Sequence, residues 1–154
     1  SDDEAVLEDE SAYYGSGDSN DYLTDVHTYT NDMHPYSMSI PNRFEMEDTP
    51  SGSSTRYEDP ETGFVISLSG YVNVNDETAH EMFVDEDTSG KADLYTAEGD
   101  NWYVVSWREG DTITYTKTIV TDSTVATASL EYSTANRDMG SKIIDKLLPT
   151  FQVD

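Results

Sequence analysis

The run Asp85-Glu86-Asp87-Thr88-Ser89-Gly90-Lys91-Ala92-Asp93 is where residue types and spacing come nearest to a defined chemistry. Asp85, Asp87, Ser89 and Asp93 place oxygen donors at loop positions 1, 3, 5 and 9, with Gly90 at position 6. That is the spacing with which an EF-hand wraps calcium, a hard cation that takes oxygen ligands and needs a glycine at the sharp bend. Position 12 is Thr96 where an EF-hand has its bidentate Glu, and β-prone residues follow where a helix would begin. The four residues are therefore candidate ligands for calcium, the one cofactor the chain suggests. The competing expectation is an acidic surface turn in which Gly90 permits the bend.

Other side chains offer less. Trp102 is a candidate ligand contact, since an exposed indole beside acidic groups suits stacking on a sugar or peptide ring; the alternative is that a helix or the N-terminal arm covers it. Lys117 falls on an inferred apolar strand face, opposite Ala128 and across from Tyr103. A buried amine there would titrate abnormally, whereas a snorkelling stem would carry its charge to the rim. His27, His34 and His80 have no spacing that suggests a metal cluster or a catalytic pair. Ser51, Ser53 and Ser54 form no nucleophile elbow, and no carboxylate pair can be placed at the working distance of a hydrolase. No catalytic or nucleotide-binding motif is present, so the expectation is a protein that is not an enzyme.

Charge is the chain's strongest bias. The 154 residues hold 32 Asp and Glu against 8 Lys and Arg, a formal net charge of -24. Residues 1–100 account for -22 of it and residues 101–154 for -2. A chain so acidic repels phosphates and anionic membranes, which excludes nucleic acid as a partner and favours cations, basic proteins or solubility alone. With no cysteine there is no disulfide framework, thiol chemistry or cysteine zinc site. No stretch approaches the roughly 20 apolar residues that a transmembrane helix needs. The chain begins at Ser1, which suggests that a leader or expression tag was trimmed and that an anchor could have preceded it.

The elements that must hold these side chains are clearest after residue 100. Two Glu-Gly-Asp triplets, at 98–100 and 109–111, read as three-residue hairpin loops between β-prone runs. Pairing Arg108 with Thr112 sets Trp107 against Ile113 and Val105 against Tyr115, and leaves Trp102 on the threonine-lined side. A loop at 121–124 then sets Ile113 against Tyr132, Tyr115 against Leu130 and Ile119 against Ala126, so that the apolar residues of both hairpins share one face. Met139, Ile143, Ile144, Leu147 and Leu148 form the stripe of a helix that begins after Asn136, ends at Pro149 and covers that face.

Upstream, residues 36–40 alternate as a short edge strand stopped by Pro41. Residues 55–57 and 63–74 form a hairpin whose second arm lines a core face with Phe64, Ile66, Leu68, Val72 and Val74, and Gly70 marks a bulge or a close backbone approach. Asp76 caps a short helix over 77–84. Residues 1–34 read as an acidic linker or loosely packed arm, part of which packs on the domain through its tyrosines, and residues 35–154 as one α+β domain. The fold class is a mainly antiparallel twisted sheet of five to seven strands, with a C-terminal helix on one face and a shorter second helix.

The order of elements resembles the PsbP-like fold. The resemblance rests on Tyr-Ser-Met-Ser-Ile-Pro-Asn-Arg-Phe at 36–44, the hairpin from Tyr57-Glu58-Asp59 to Val74, the run from Trp107 through Tyr115 to Lys117, and the strand, helix and aromatic from Ala126 to Phe151. It implies a non-enzymatic binding or assembly module of an exported bacterial protein, often lipid-anchored, lying outside the cytoplasm as a secreted, periplasmic or surface-anchored domain with a protein or glycan partner. A divalent-cation or glycan-binding domain is the alternative.

Overall fold

The computed structural model describes residues 21–47 and 52–154. In chain order its elements are β1 (Val26–Thr30), β2 (Tyr36–Pro41), β3 (Glu45–Glu47), β4 (Ser54–Glu58), β5 (Val65–Val72), α1 (Ala79–Val84), β6 (Ala92–Glu98), β7 (Trp102–Glu109), β8 (Thr112–Val120), β9 (Thr124–Ser133), α2 (Arg137–Lys146) and β10 (Gln152–Val153). A seven-stranded sheet runs β3-β4-β5-β9-β8-β7-β6, and a three-stranded sheet runs β10-β2-β1. The architecture is α+β, with antiparallel pairing, a C-terminal helix and a shorter second helix. No helix among the described residues is long and apolar enough to cross a membrane.

The large sheet is apolar on both faces. On the first face, Ile66 and Leu68 of β5 join Ala126, Ala128 and Leu130 of β9 and Ile113 and Ile119 of β8. The small sheet covers them with Tyr36, Met38 and Ile40 of β2, and the C-terminal segment with Ile143, Leu147, Leu148 and Phe151. The second face carries Tyr103, Val105, Val120 and Val125, closed by Ala79, Met82 and Phe83 of α1.

That division corrects the register expected for the first hairpin. Thr112 pairs with Glu109 rather than Arg108, so the loop has two residues, Gly110 and Asp111. Gly110 takes φ +60 at the first central position, where a type II′ turn favours glycine. The shift of one residue moves Tyr103, Val105 and Trp107 to the threonine side and brings Trp102 to the first face, opposite Ile119. Lys117 therefore pairs with Val104, not Tyr103, while Ala128 is its partner as expected. The β8–β9 register agrees with the sequence reading throughout, including Ile113 with Tyr132 and Ile119 with Ala126.

Other expectations shift for local reasons. β2 is central rather than an edge, because β1 and β10 flank it on either side. Residues 26–30, inside the range read as an arm, pair with β2 along its length, and Tyr22 is buried, so packing begins before residue 35. The remainder of that arm, residues 1–20, lies outside the described residues, as does Ser51. The core face of β5 ends at Gly70, where Tyr36 approaches so closely that a Cβ would lie 2.8 Å from its ring; Val72 and Val74 beyond it are exposed. Thr78, not Asp76, caps α1: its hydroxyl accepts from Glu81 N–H at 3.1 Å while Glu81 Oε1 accepts from Thr78 N–H at 2.8 Å. Asn136 precedes α2 as expected, but its amide donates to the Thr62 carbonyl rather than to its own helix.

Candidate functional site

The structure spreads the calcium candidates over separate environments. Asp85 stands at the C-terminal end of α1 and lines an acidic recess of about 430 Å³ with Asp76, Glu77 and Glu81. Asp87 and Ser89 come together, since Asp87 Oδ1 accepts from Ser89 N–H at 3.0 Å and from its hydroxyl at 2.5 Å. These hydrogen bonds hold the Asp87 carboxyl below its usual range. Asp93 lies on β6, where its Oδ2 accepts from Arg108 Nε at 2.7 Å. Lys91 donates to the Asp87 carbonyl and stacks over Trp107, 4.6 Å from the ring centroid. Gly90, at φ +77, makes the bend. Among the described residues no three His, Asp or Glu side chains are grouped so that they could hold a metal ion.

Trp102 is half-buried against the main core. Its pyrrole edge closes on Gly99, where a Cβ would meet Nε1 at 2.2 Å, and Lys117 Nζ stands 5.2 Å from the ring centroid. A sugar stacking there would share the indole with that ammonium. Burial lowers the Lys117 pKa from its ordinary value. His27 binds Asn42 and reaches the Tyr57 hydroxyl, and exposed His80 meets Glu98 at 2.9 Å. Among the described residues the three histidines form no metal-holding group.

Two features near β6 were not evident in the sequence. The first is the place of this strand, which ends the large sheet with its outer edge unpaired among the described residues. Six of its seven residues are exposed, with Leu94 at 45% and Tyr95 at 54%. The Tyr95 ring stacks on Tyr115, centroids 6.3 Å apart and planes at 21°. A bulge between Ala92 and Tyr95, with Asp93 at φ +52, turns Asp93 towards Arg108 and leaves Tyr95 to Glu98 as a regular ladder.

The second is a cleft of about 230 Å³ on the first face, where β6, β7 and β9 meet the start of α2. It is lined chiefly by Asp93, Ser106, Arg108, Tyr132, Arg137 and Ser141. Arg108 donates to Asp93 and, through Nη1, to the Gly110 carbonyl at 2.9 Å. That contact holds the Asp93 carboxyl below its usual range and pushes Arg108 up. At the cleft wall α2 packs tightly on β9, since Gly140 lies against the Tyr132 ring, which stacks on Phe64 at 4.8 Å. Only the one-residue shift in the β7–β8 register brings Ser106 and Arg108 to this face, which is why the expected pairing hid the site.

No family model and no curated protein matches this sequence. Among solved structures, the chain is similar to the solution structure of cyanobacterial PsbP (CyanoP) from Synechocystis sp. PCC 6803. The two share 16% identity with a TM-score of 0.61, over 84% of this chain and 93% of that one. Likeness at this identity is a matter of backbone architecture. The small sheet on the large one, the terminal helix beside it and the order of the strands give this chain the PsbP-like fold.

Proposed function

We propose that the domain is a non-enzymatic binding or assembly module of an exported bacterial protein, and that it takes a protein partner along β6. The observation that supports this reading is the outer edge of β6, which pairs with no strand among the described residues. An exposed edge strand is a template for a further strand, and natural sheets blunt such edges with charged side chains, Pro, bulges or a covering element. In β6 the bulge and Asp93 lie at one end and Glu98 at the other, with neither Lys nor Pro in the strand, and the ladder from Tyr95 onward is regular. An added strand would gain main-chain hydrogen bonds, while Leu94 and the Tyr95–Tyr115 stack supply apolar contact area.

A photo-crosslinking residue at Tyr95, introduced in cells that make the protein, tests this. Adducts are expected from that position and not from Glu131, an exposed residue of the interior strand β9. The same pattern from both positions, or none from Tyr95, would refute the reading. Fractionation of the same cells tests the expectation that the protein lies outside the cytoplasm.

Divalent-cation binding is the second reading, resting on the charge of the recess beside Asp85 and not on carboxylates grouped as ligands. Calorimetry with calcium in about 0.15 M salt separates the two, because diffuse attraction is screened there and a built site is not. A stoichiometric isotherm lost in Asp85→Ala would favour the cation.

A further inference from the structure

Arg137 stands apart among the four arginines of this chain. The other three find carboxylates: Arg43 meets Asp59 and Glu61, Arg56 meets Glu47, and Arg108 meets Asp93. Arg137, at the first turn of α2, makes no ion pair or side-chain hydrogen bond among the described residues, and it lines the cleft. Its planar fork of donors matches a carboxylate, which accepts two parallel hydrogen bonds.

A second observation is independent of charge. Ser106, 9% exposed and on the cleft wall, has a hydroxyl with no hydrogen-bond partner among the described residues. Buried hydroxyls are nearly always partnered, so one facing a cleft marks a place for a ligand's polar atom. The cleft also already accommodates the proposed chemistry, since Asp93 sets a carboxylate oxygen 2.7 Å from Arg108 Nε.

Size and field narrow the choice. At about 230 Å³, the space falls below the roughly 300–1,000 Å³ of small-molecule pockets, so it suits one side chain or end group. The net charge of -24 penalises each added negative charge, which disfavours a phosphate dianion relative to a carboxylate. Tyr95 pairs with Ser106, so a strand laid along β6 would pass beside the cleft. Resting on the protein-binding reading of that edge, we infer that the cleft between β6, β7 and α2 binds a carboxylate of a peptide, an acidic side chain or a C-terminus, through Arg137, Ser106 and Ser141.

The test is a titration of the nitrogen-15-labelled full chain with N-acetylglutamate, followed by amide resonances. Saturable shifts at Ser106, Arg108, Arg137 and Ser141 are expected. Arg137→Gln should weaken binding by about tenfold, the loss of one charge-assisted hydrogen bond. Asp93→Asn should tighten it by about threefold by removing a competing charge. Lys146→Gln, a charge-matched change at the other end of α2, should leave it unaltered. Gain in one variant and loss in another cannot both arise from misfolding.

No saturable shift, an equal loss in Lys146→Gln, or weaker binding in Asp93→Asn would overturn the inference. Tighter binding of inorganic phosphate would overturn the carboxylate assignment, and tighter binding of glucuronate the peptide assignment. If the titration fails while Tyr95 crosslinks persist, the carboxylate site falls alone and the binding-module reading stands.

Discussion

Replacing Gly140 with alanine should destabilise the protein, against the usual rule. Within a helix, glycine to alanine gains about 1 kcal/mol from reduced backbone entropy. At Gly140 the new Cβ would lie 2.4 Å from Tyr132 Cζ, 2.5 Å from Cε2 and 2.7 Å from the hydroxyl oxygen. Carbon atoms in contact prefer about 3.5–4.0 Å, so helix and ring must separate by about 1 Å. The ring has little room to yield, because Tyr132 is 7% exposed and stacks on Phe64 at 4.8 Å, which in turn meets Phe44 at 5.9 Å. Overpacking of this kind costs about 1–3 kcal/mol. Set against the propensity gain, the net loss is about 0–2 kcal/mol. Urea unfolding at constant m reads it directly. In a Tyr132→Ala background, itself costly by about 3–5 kcal/mol, the obstacle is gone and Gly140→Ala should turn stabilising. A gain of about 1 kcal/mol in the otherwise unaltered chain would refute the close-packing argument.

Three further outcomes follow from the packing. Leu147→Ala should cost about 2–5 kcal/mol, because the side chain is buried in the main core, whereas exposed Lys146→Ala should cost little; equal shifts in denaturant midpoint would contradict the orientation of α2. Deleting residues 1–30 removes Tyr22 and β1, and should lower the thermal transition by about 4–8 °C. An unchanged transition would show that β1 adds nothing to the fold. In Lys117→Met the charge that burial disfavours is gone, so the variant should exceed the unaltered protein in Tm at pH 7. Since the folded pKa is depressed, the unfolded chain binds more protons between the two values, and the unaltered protein gains stability as pH rises towards the ordinary lysine pKa. The advantage of the variant should therefore shrink with rising pH over that window, and a constant or growing difference by thermal melts would refute it.

Legibility followed the range of the interactions. The β8–β9 register could be read because alternating β-branched and aromatic residues on two adjacent strands leave one consistent solution. The α2 stripe could be read because helical periodicity is local: Ile143 and Leu147 are buried as the pattern required. The β7–β8 hairpin was misread at a single choice, whether Glu109 belongs to the turn or to the strand. Both options put apolar residues on one side, and only α1, which covers the second face, decides between them. The cleft depended on that decision and on Gly140, whose approach to Tyr132 has no local signature. Asp59 was equally silent. It is 1% exposed, accepts from Glu61 N–H and the Thr62 hydroxyl, and meets Arg43 at 2.8 Å, a set of partners that only the fold assembles.

The position of β2 between β1 and β10 has a consequence for synthesis. Tyr36, Met38 and Ile40 are fully buried, yet Phe151 and β10, which help enclose them, come near the far end of the chain. The Ser39 N–H donates to the Thr150 hydroxyl, 111 residues further on. At about 5–20 residues per second, a ribosome needs on the order of 10 s to supply that partner. Throughout that interval the central strand of the small sheet has β1 as its only ladder neighbour, with the side chains destined for deepest burial still wet. Folding from the ribosome can therefore close this core only as the last strand emerges, and the nascent chain presents a sustained apolar target to any chaperone or export factor that holds unfolded polypeptides.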